Sequence, residues 1–483
     1  MRRLTRFFAL MLALILTLSA SPLAAAEGIP APTLSPDANP YDAEHPEFLD
    51  EDQLYAASAI LIEASSGNVI FEKNADAVMY PASTTKIMTV LLGIMCGDLE
   101  ETVTATSTAL AIPEDASNMD LREGEEINFL DLLYGTMLRS ANEGANLIAE
   151  TISGSISAFV DLMNEYAQLI GCTSTHFANP DGYHDDNHYS SARDLAMITR
   201  EAMKDETFRK IVSTVTYTLP KSNKQRARTL STTSRILIPS TEENANKYYY
   251  PDAIGVKTGS TSRAGWCFVG AAQREGVELI SVVLFTDNRA RWTDTVKLME
   301  YGFSQYINVS PVDLYNMNPI TIDTSNYSLE DADMGRLPLT CVPAVAGVNA
   351  SITATKDEVD AMAKNLREVV LIEYKRDFVA PIQAGEVVGT MTYFPEKSDP
   401  VEYNLIASRT VAKRENAPKT LEEIVAEAEA DPNPFPPFTL EMALYLILPV
   451  AAVALIVRTL RRLRRRRRSR LSKVPKPKNR YMK

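Results

Sequence analysis

Near its C-terminus the chain carries a run of 20 residues, Phe438–Val457, whose one charge is Glu441. Twenty helical residues rise about 30 Å, the thickness of a bilayer's hydrocarbon core. From Met442 to Val457 the run is apolar on every side, so it lacks the polar face of a helix lying in the interface. Pro449 would kink it, which a membrane helix tolerates. An Arg-rich run from Arg458 to Arg470 follows at once, and the positive-inside rule places that end in the cytoplasm. The start of the chain agrees with this topology. Arg2, Arg3 and Arg6, the apolar stretch Phe7–Ser19 and the small residues Ala24-Ala25-Ala26 read as a signal peptide over residues 1–26. The expectation is a single-pass protein of the cell membrane, its body extracytoplasmic and its tail, residues 458–483, cytoplasmic.

Charge supports a body that meets no polyanion. The net charge of −13 over 483 residues hides an asymmetry: residues 458–483 hold 14 basic residues and no acid, whereas residues 27–457 hold 32 basic and 62 acidic ones. Such a body repels nucleic acid. Four cysteines, Cys96, Cys172, Cys267 and Cys341, are too few for a disulfide scaffold and lie in apolar or small-residue contexts, so free buried thiols are expected. The four histidines form no HExxH and no metal-ligand spacing, so neither metal nor cofactor is expected.

Residues 27–50, rich in Pro, Asp and Glu, read as a leader without structure of its own. Over residues 51–306, strand-like runs at Ala57–Glu63, Val69–Glu72, Gly265–Ala272 and Leu279–Phe285 flank helical periodicity at Ser83–Met95, Leu130–Ile152, Val160–Leu169, Ala192–Met203 and Trp292–Phe303. That order predicts a mixed α/β (α+β) domain. Over residues 307–412 short strand-like runs, among them Leu337–Cys341, Val369–Tyr374, Glu386–Phe394 and Tyr403–Ala407, predict a small all-β domain. Residues 413–437 are acidic and then Pro-rich, a spacer before the membrane helix at 438–457.

Three motifs fall in order inside the first domain. Ser83-Thr84-Thr85-Lys86 opens a helix, and residues three apart on a helix share a face, which sets an amine beside a hydroxyl. A neutral amine there can take the serine proton and make a nucleophile. Ser140-Ala141-Asn142 lies inside the helical segment Leu130–Ile152, and Lys257-Thr258-Gly259 precedes an apolar strand. Each is weak alone; the ordered triple is not.

With these motifs the chain resembles the low-molecular-mass penicillin-binding proteins, the serine-type D-alanyl-D-alanine carboxypeptidases. Pro81–Lys86 with Ile87-Met88-Thr89 is similar to that family's nucleophile helix. Asn179-Pro180-Asp181-Gly182 with His188-Tyr189-Ser190-Ser191-Ala192-Arg193-Asp194 is similar to its next signature. Gly255–Gly259 with Ala264-Gly265-Trp266, and Ala380-Pro381-Ile382 with Gly385–Thr390, extend the likeness to about residues 50–410. Asp181 stands where many members have His, and Ser234 where Asn is frequent. The resemblance implies a β-lactamase/transpeptidase-like serine hydrolase domain that acts on the D-Ala-D-Ala terminus of the peptidoglycan stem peptide and is trapped covalently by β-lactams.

It further implies Ser83 as the acylated nucleophile, Lys86 as its base and Ser140 as the proton relay to the leaving D-alanine. Asn142 would hold the substrate amide and Lys86. The backbone N–H groups of Ser83 and Ser260 would form the oxyanion hole, and Lys257, Thr258 and Gly259 would line the substrate strand. Lys257 and Thr258 would bind the terminal carboxylate, joined by Arg291, for which a surface salt bridge is the rival role. Asp194 reads as a structural cap or ion-pair partner. Two rival functions remain at this stage. A class A β-lactamase shares the triple but deacylates with a Glu in the loop after the second motif, and residues Gly171–Ser191 contain no Glu. A wall-binding scaffold with a dead site is the other.

Overall fold

Strand segments here read as unbroken apolar runs, the pattern of a sheet covered on both faces. A computed structural model of the chain describes residues 42–242, 245–395, 399–415, 421–430, 453–459 and 461. It places β1 (Ser58–Glu63), β2 (Val69–Lys73), β3 (Ala253–Thr261), β4 (Gly265–Arg274) and β5 (Val277–Thr286) in one antiparallel sheet of order β2-β1-β5-β4-β3. Successive side chains point to opposite faces. Ile60, Ile62, Val269, Ala271, Val282 and Leu284 therefore enter one core, and Ala59, Leu61, Phe268, Ala272 and Val283 enter another.

The larger core holds α1 (Lys86–Cys96), α2 (Phe129–Leu138), α3 (Asn142–Ser153), α4 (Ile156–Leu169) and α5 (Ala192–Ala202). Helix α1 is buried on all sides from Lys86 to Gly93. Its residues Ile87, Met88, Val90, Leu91 and Leu92 are all buried, and its polar Lys86 and Thr89, three apart on one face, are buried against the carbonyls of Asp181 and Pro180. The second core is closed by α7 (Ala290–Gln305), preceded in chain order by α6 (Glu206–Ser213), and it contains Trp292, Leu298 and Met299. Leu49 and Leu54 join it, flanking a short helical turn at Glu51–Gln53 that Asp50 and Gln53 cap reciprocally. The leader expected over residues 27–50 is thus anchored at its end by a buried leucine.

One helical expectation changes. Leu130–Ile152 is two helices, α2 and α3, because Ser140 adopts a left-handed backbone with φ +58° that no α-helix continues through. Lys257-Thr258-Gly259 precedes the apolar strand β4, as expected, and itself lies within strand β3, an edge of the sheet. All four cysteines are free, Cys172, Cys267 and Cys341 buried and Cys96 half-buried.

After α7, β6 (Tyr306–Val309) pairs antiparallel with β8 (Ile352–Thr355). Strand β7 (Arg336–Pro343) pairs with β11 (Val401–Ala407), β11 with β10 (Val387–Tyr393), and β10 with β9 (Val370–Tyr374), all antiparallel. Helices α8 (Pro311–Met317) and α9 (Lys356–Lys364) lie in the same stretch, each begun by a capping box, at Ser310 and at Thr355. The segment expected as all-β is a β domain that also carries helices.

The described residues form two compact units. The described residues through Thr321, Pro338–Asp377 and Gly385–Ser408 form the first, whereas Ile322–Leu337, Phe378–Ala384 and the described residues from Arg409 form the second. Within the second unit, β-bridges join Ser325 to Val379 and Ile382 to Val411, and Arg409 pairs with Asp331.

The acidic stretch before the prolines is helical over Leu421–Ala430. The expected signal peptide lies outside the described residues. So does most of the expected membrane helix, of which residues 453–457 are described and helical. Among the described residues no helix is long and apolar enough to cross a membrane.

Candidate active site

The serine of the first motif sits on a short 3-10 turn, Ala82–Thr85, that runs directly into α1. Ala82, the residue before it, has φ +50°. A residue with a Cβ occupies that region at a cost of about 1–2 kcal/mol, so its surroundings must hold it there. They do so from two sides. The Thr85 hydroxyl donates to the Ala82 carbonyl (2.8 Å). Gly182, at φ +75°, approaches so closely that a Cβ there would lie 1.9 Å from the same oxygen. Strand β3 also presses on this turn: a Cβ at Gly259 would fall 2.9 Å from the Pro81 carbonyl.

Lys86 begins α1 fully buried, with Nζ 3.0 Å from Ser83 Oγ, 2.8 Å from Asn142 Oδ1 and 2.5 Å from the Asp181 carbonyl. Two of these neighbours are carbonyl oxygens and can only accept; the third is a hydroxyl and can also donate. A neutral amine fits this cage: its two N–H groups serve the carbonyls and its lone pair faces the Ser83 hydroxyl. Burial lowers the Lys86 pKa to about 8, although the carboxylates of Asp181 and Glu143 pull the other way. Glu143, next to Asn142 at the start of α3, accepts from the Met119 N–H (2.8 Å), and burial raises its pKa.

The second motif reaches the same point because the chain breaks at Ser140. After that break at buried Ser140, Asn142 starts α3 with its side-chain oxygen on Lys86, and the Asn142 N–H is fixed by the Ser117 carbonyl (2.8 Å). The third motif supplies Lys257, buried and donating to the Thr258 carbonyl (2.9 Å). Burial, then repulsion from Lys86 and Arg291, holds its pKa well below that of a free lysine. The Thr258 hydroxyl lies 2.7 Å from that of Thr233. Ser260 follows Gly259 on the same edge strand. Lys86 thus joins Ser83 to Asn142 by hydrogen bonds, and β3 packs Gly259 against the turn of Ser83.

Arg291 is 8 % exposed at the start of α7. Its guanidinium lies between Trp266 (4.5 Å) and Trp292 (4.3 Å) and donates to Asn288 Oδ1 (3.0 Å). Burial lowers its pKa to about 10. Among the described residues it has no carboxylate partner, so the surface salt bridge is not its role here. Asp194 is structural: one carboxylate oxygen accepts from the Ser174 N–H and the Thr175 hydroxyl, both at 2.7 Å. Of the two departures, Asp181 contributes its backbone carbonyl to Lys86 while its carboxylate accepts from the Tyr183 N–H (2.7 Å). Ser234 is buried beside Thr233.

Sequence reasoning did not single out Thr85, Glu143, Gly182, Thr233 or His188 as site residues. Thr85 lies inside the first motif, Glu143 adjoins the second, and Gly182 and His188 belong to the signature between them and the third, which was the available signal. His188 meets Thr85 across 103 residues of chain, and nothing local announces that.

Comparison with known proteins gives concordant matches. The family model for D-alanyl-D-alanine carboxypeptidases matches residues 44–288, and that for the C-terminal domain of penicillin-binding protein 5 matches residues 326–413. The chain is 30% identical over 340 residues to the D-alanyl-D-alanine carboxypeptidase DacF of Bacillus subtilis, covering 70% of this chain and 80% of that one. It is 29% identical over 351 residues to DacC of Escherichia coli, covering 70% and 80%. Among solved structures, the Streptomyces K15 DD-transpeptidase is 32% identical and matches with a TM-score of 0.48, covering 53% of this chain and all of that one.

Proposed function

Since the chain belongs to the D-alanyl-D-alanine carboxypeptidase family and is a penicillin-binding serine peptidase, we propose that Ser83 is its acylated residue and that the first, second and third motifs divide the work as follows. The neutral Lys86 amine accepts the Ser83 proton as Oγ attacks the carbonyl carbon of the penultimate D-alanine. The tetrahedral oxyanion is met by the N–H groups of Ser83 and Ser260, donors fixed in advance of the charge they stabilise. Ser140 passes the proton from Lys86 to the departing D-alanine nitrogen, the C–N bond breaks, and water later releases the acyl group with Lys86 again as base. Asn142 orients Lys86 and receives the substrate amide. Lys257, Thr258 and Arg291 neutralise the terminal carboxylate, with Gly259 keeping β3 close enough to the serine for one substrate to touch both.

The observation that carries this reading is the Lys86 cage, which accommodates a lone pair only toward Ser83. The β-lactamase reading is disfavoured by the β domain and by the absence of any Glu between Gly171 and Ser191. The intact triple speaks against a dead scaffold. Membrane attachment through residues 438–457, with removal of residues 1–26, is supported by the apolar run, the Arg run after it and the N-terminal composition. The test is direct: full-length protein incubated with a stem pentapeptide should lose one alanine by mass spectrometry and take up a fluorescent penicillin. Ser83→Ala should do neither, and labelling that persists in that variant removes the assignment.

A further inference from the structure

The strained turn before Ser83 is held by more than its own residues. His188 is buried at 2 % exposure, its ring edge-on to Phe177 at 5.6 Å. Its Nδ1 lies 3.1 Å from the Ala178 backbone nitrogen, and its Nε2 lies 2.7 Å from Thr85 Oγ1. The directions of these bonds are all forced. A backbone N–H only donates, so Nδ1 carries the lone pair, and a neutral imidazole then bears its proton on Nε2. That proton goes to Thr85 Oγ1, whose own proton goes to the Ala82 carbonyl at 2.8 Å. Burial keeps the ring neutral, its pKa lowered to about 3, so the order of donors does not reverse near neutral pH.

The Ala82 carbonyl and the Ser83 N–H belong to one planar trans peptide and point in opposite directions. Whatever pins that carbonyl also aims that N–H. As the second residue of its turn, Ser83 has an N–H among the donors that a helix start leaves unpaired. Gly182 closes the other side of the carbonyl, so the peptide plane has no room to swing. Resting on the reading of Ser83 as nucleophile and oxyanion donor, we infer that His188 is a positioning residue. Acting through the Thr85 hydroxyl, it locks the Ala82–Ser83 peptide and aims the Ser83 N–H at the developing oxyanion.

The experiment compares full-length protein in detergent with Thr85→Val, Thr85→Ser and Ser83→Ala. Thr85→Val keeps the shape and loses the hydroxyl. It should slow penicillin acylation and D-alanine release about tenfold to a hundredfold, with KM for the pentapeptide changed less than about twofold, since donor alignment acts on the transition state. Thr85→Ser, which keeps the hydroxyl, should recover most of the rate. In wild-type protein labelled with [15N]histidine, His188 should show a protonated Nε2 and an unprotonated Nδ1 at every pH from 5 to 9. That measurement decides the matter even where Thr85→Val fails to fold. A proton on Nδ1, or a Thr85→Val protein that acylates at the wild-type rate while Ser83→Ala does not label, overturns the inference and leaves the nucleophile assignment standing. Labelling of Ser83→Ala would instead remove the premise, and the relay with it.

Discussion

The pH dependence of acylation should report Lys86. The cage described above works with a neutral amine, and burial lowers the Lys86 pKa to about 8. An exposed lysine, near 10.4, would be neutral in only about one molecule in 2,500 at pH 7; with a pKa of about 8 the fraction is about one tenth. Below pH 8 the rate should therefore fall about tenfold per unit, giving an increase of about fiftyfold from pH 6 to pH 8 and less than about twofold from pH 8 to pH 9.

The groups facing Lys86 set the direction of a second change. Asp181 and Glu143 both stabilise its charged form, so Asp181→Asn should move the limb to lower pH and raise the rate at pH 6. The amide oxygen of the new side chain can still accept the Tyr183 N–H, so the turn survives. The assay is the second-order rate of labelling by a fluorescent penicillin between pH 5.5 and 9.5, with circular dichroism at each end of the range. A limb centred above pH 9, or one that Asp181→Asn moves upward, refutes the argument that a buried, neutral Lys86 is the base.

Other outcomes follow from the same geometry. Arg291→Ala should slow release of D-alanine from a free-acid pentapeptide by about one to two decades, the worth of a charge-assisted bond, and should affect an uncharged C-terminal amide much less. Equal losses on both would leave Arg291 only its packing between Trp266 and Trp292. Gly182→Ala should abolish penicillin labelling and lower the melting temperature, because its Cβ would lie 1.9 Å from a carbonyl pinned on the other side; wild-type labelling would show that the turn can yield. Ending the chain after Pro437 should give an active protein in the soluble fraction, and retention in membranes after a high-salt wash would show that residues 438–457 are not the main anchor.

The sheet and its helices were largely legible because burial on both faces leaves unbroken apolar runs, as in Ala57–Glu63 and Leu279–Phe285. The candidate site was proposed from three motifs whose residue types are demanded by chemistry. What escaped was set by tertiary context. The apolar periodicity of Leu130–Ile152 runs straight across Ser140, and serine carries none of the local signal that glycine would have given for a left-handed break. Lys257-Thr258-Gly259 lacks the apolar run of a buried strand, yet its ladder to Cys267, Phe268 and Val269 of β4 makes it one. Leu49 sits in a composition typical of a tail and is held by the second core. His188 and Thr85 meet through a hydrogen bond that only the tertiary fold brings about.

The four free thiols make the protein its own reporter. Cys172, Cys267 and Cys341 are buried, and Cys96 is the partly accessible one, at the far end of the helix that Lys86 begins. Ten residues of helix separate the two, about 15 Å of rigid rod. A maleimide fluorophore on Cys96 of wild-type protein would therefore sit at the opposite end of that rod from Ser83, with no engineered cysteine needed. Burial raises the Cys96 pKa, so thiolate is scarce at neutral pH and coupling is best done in mild alkali.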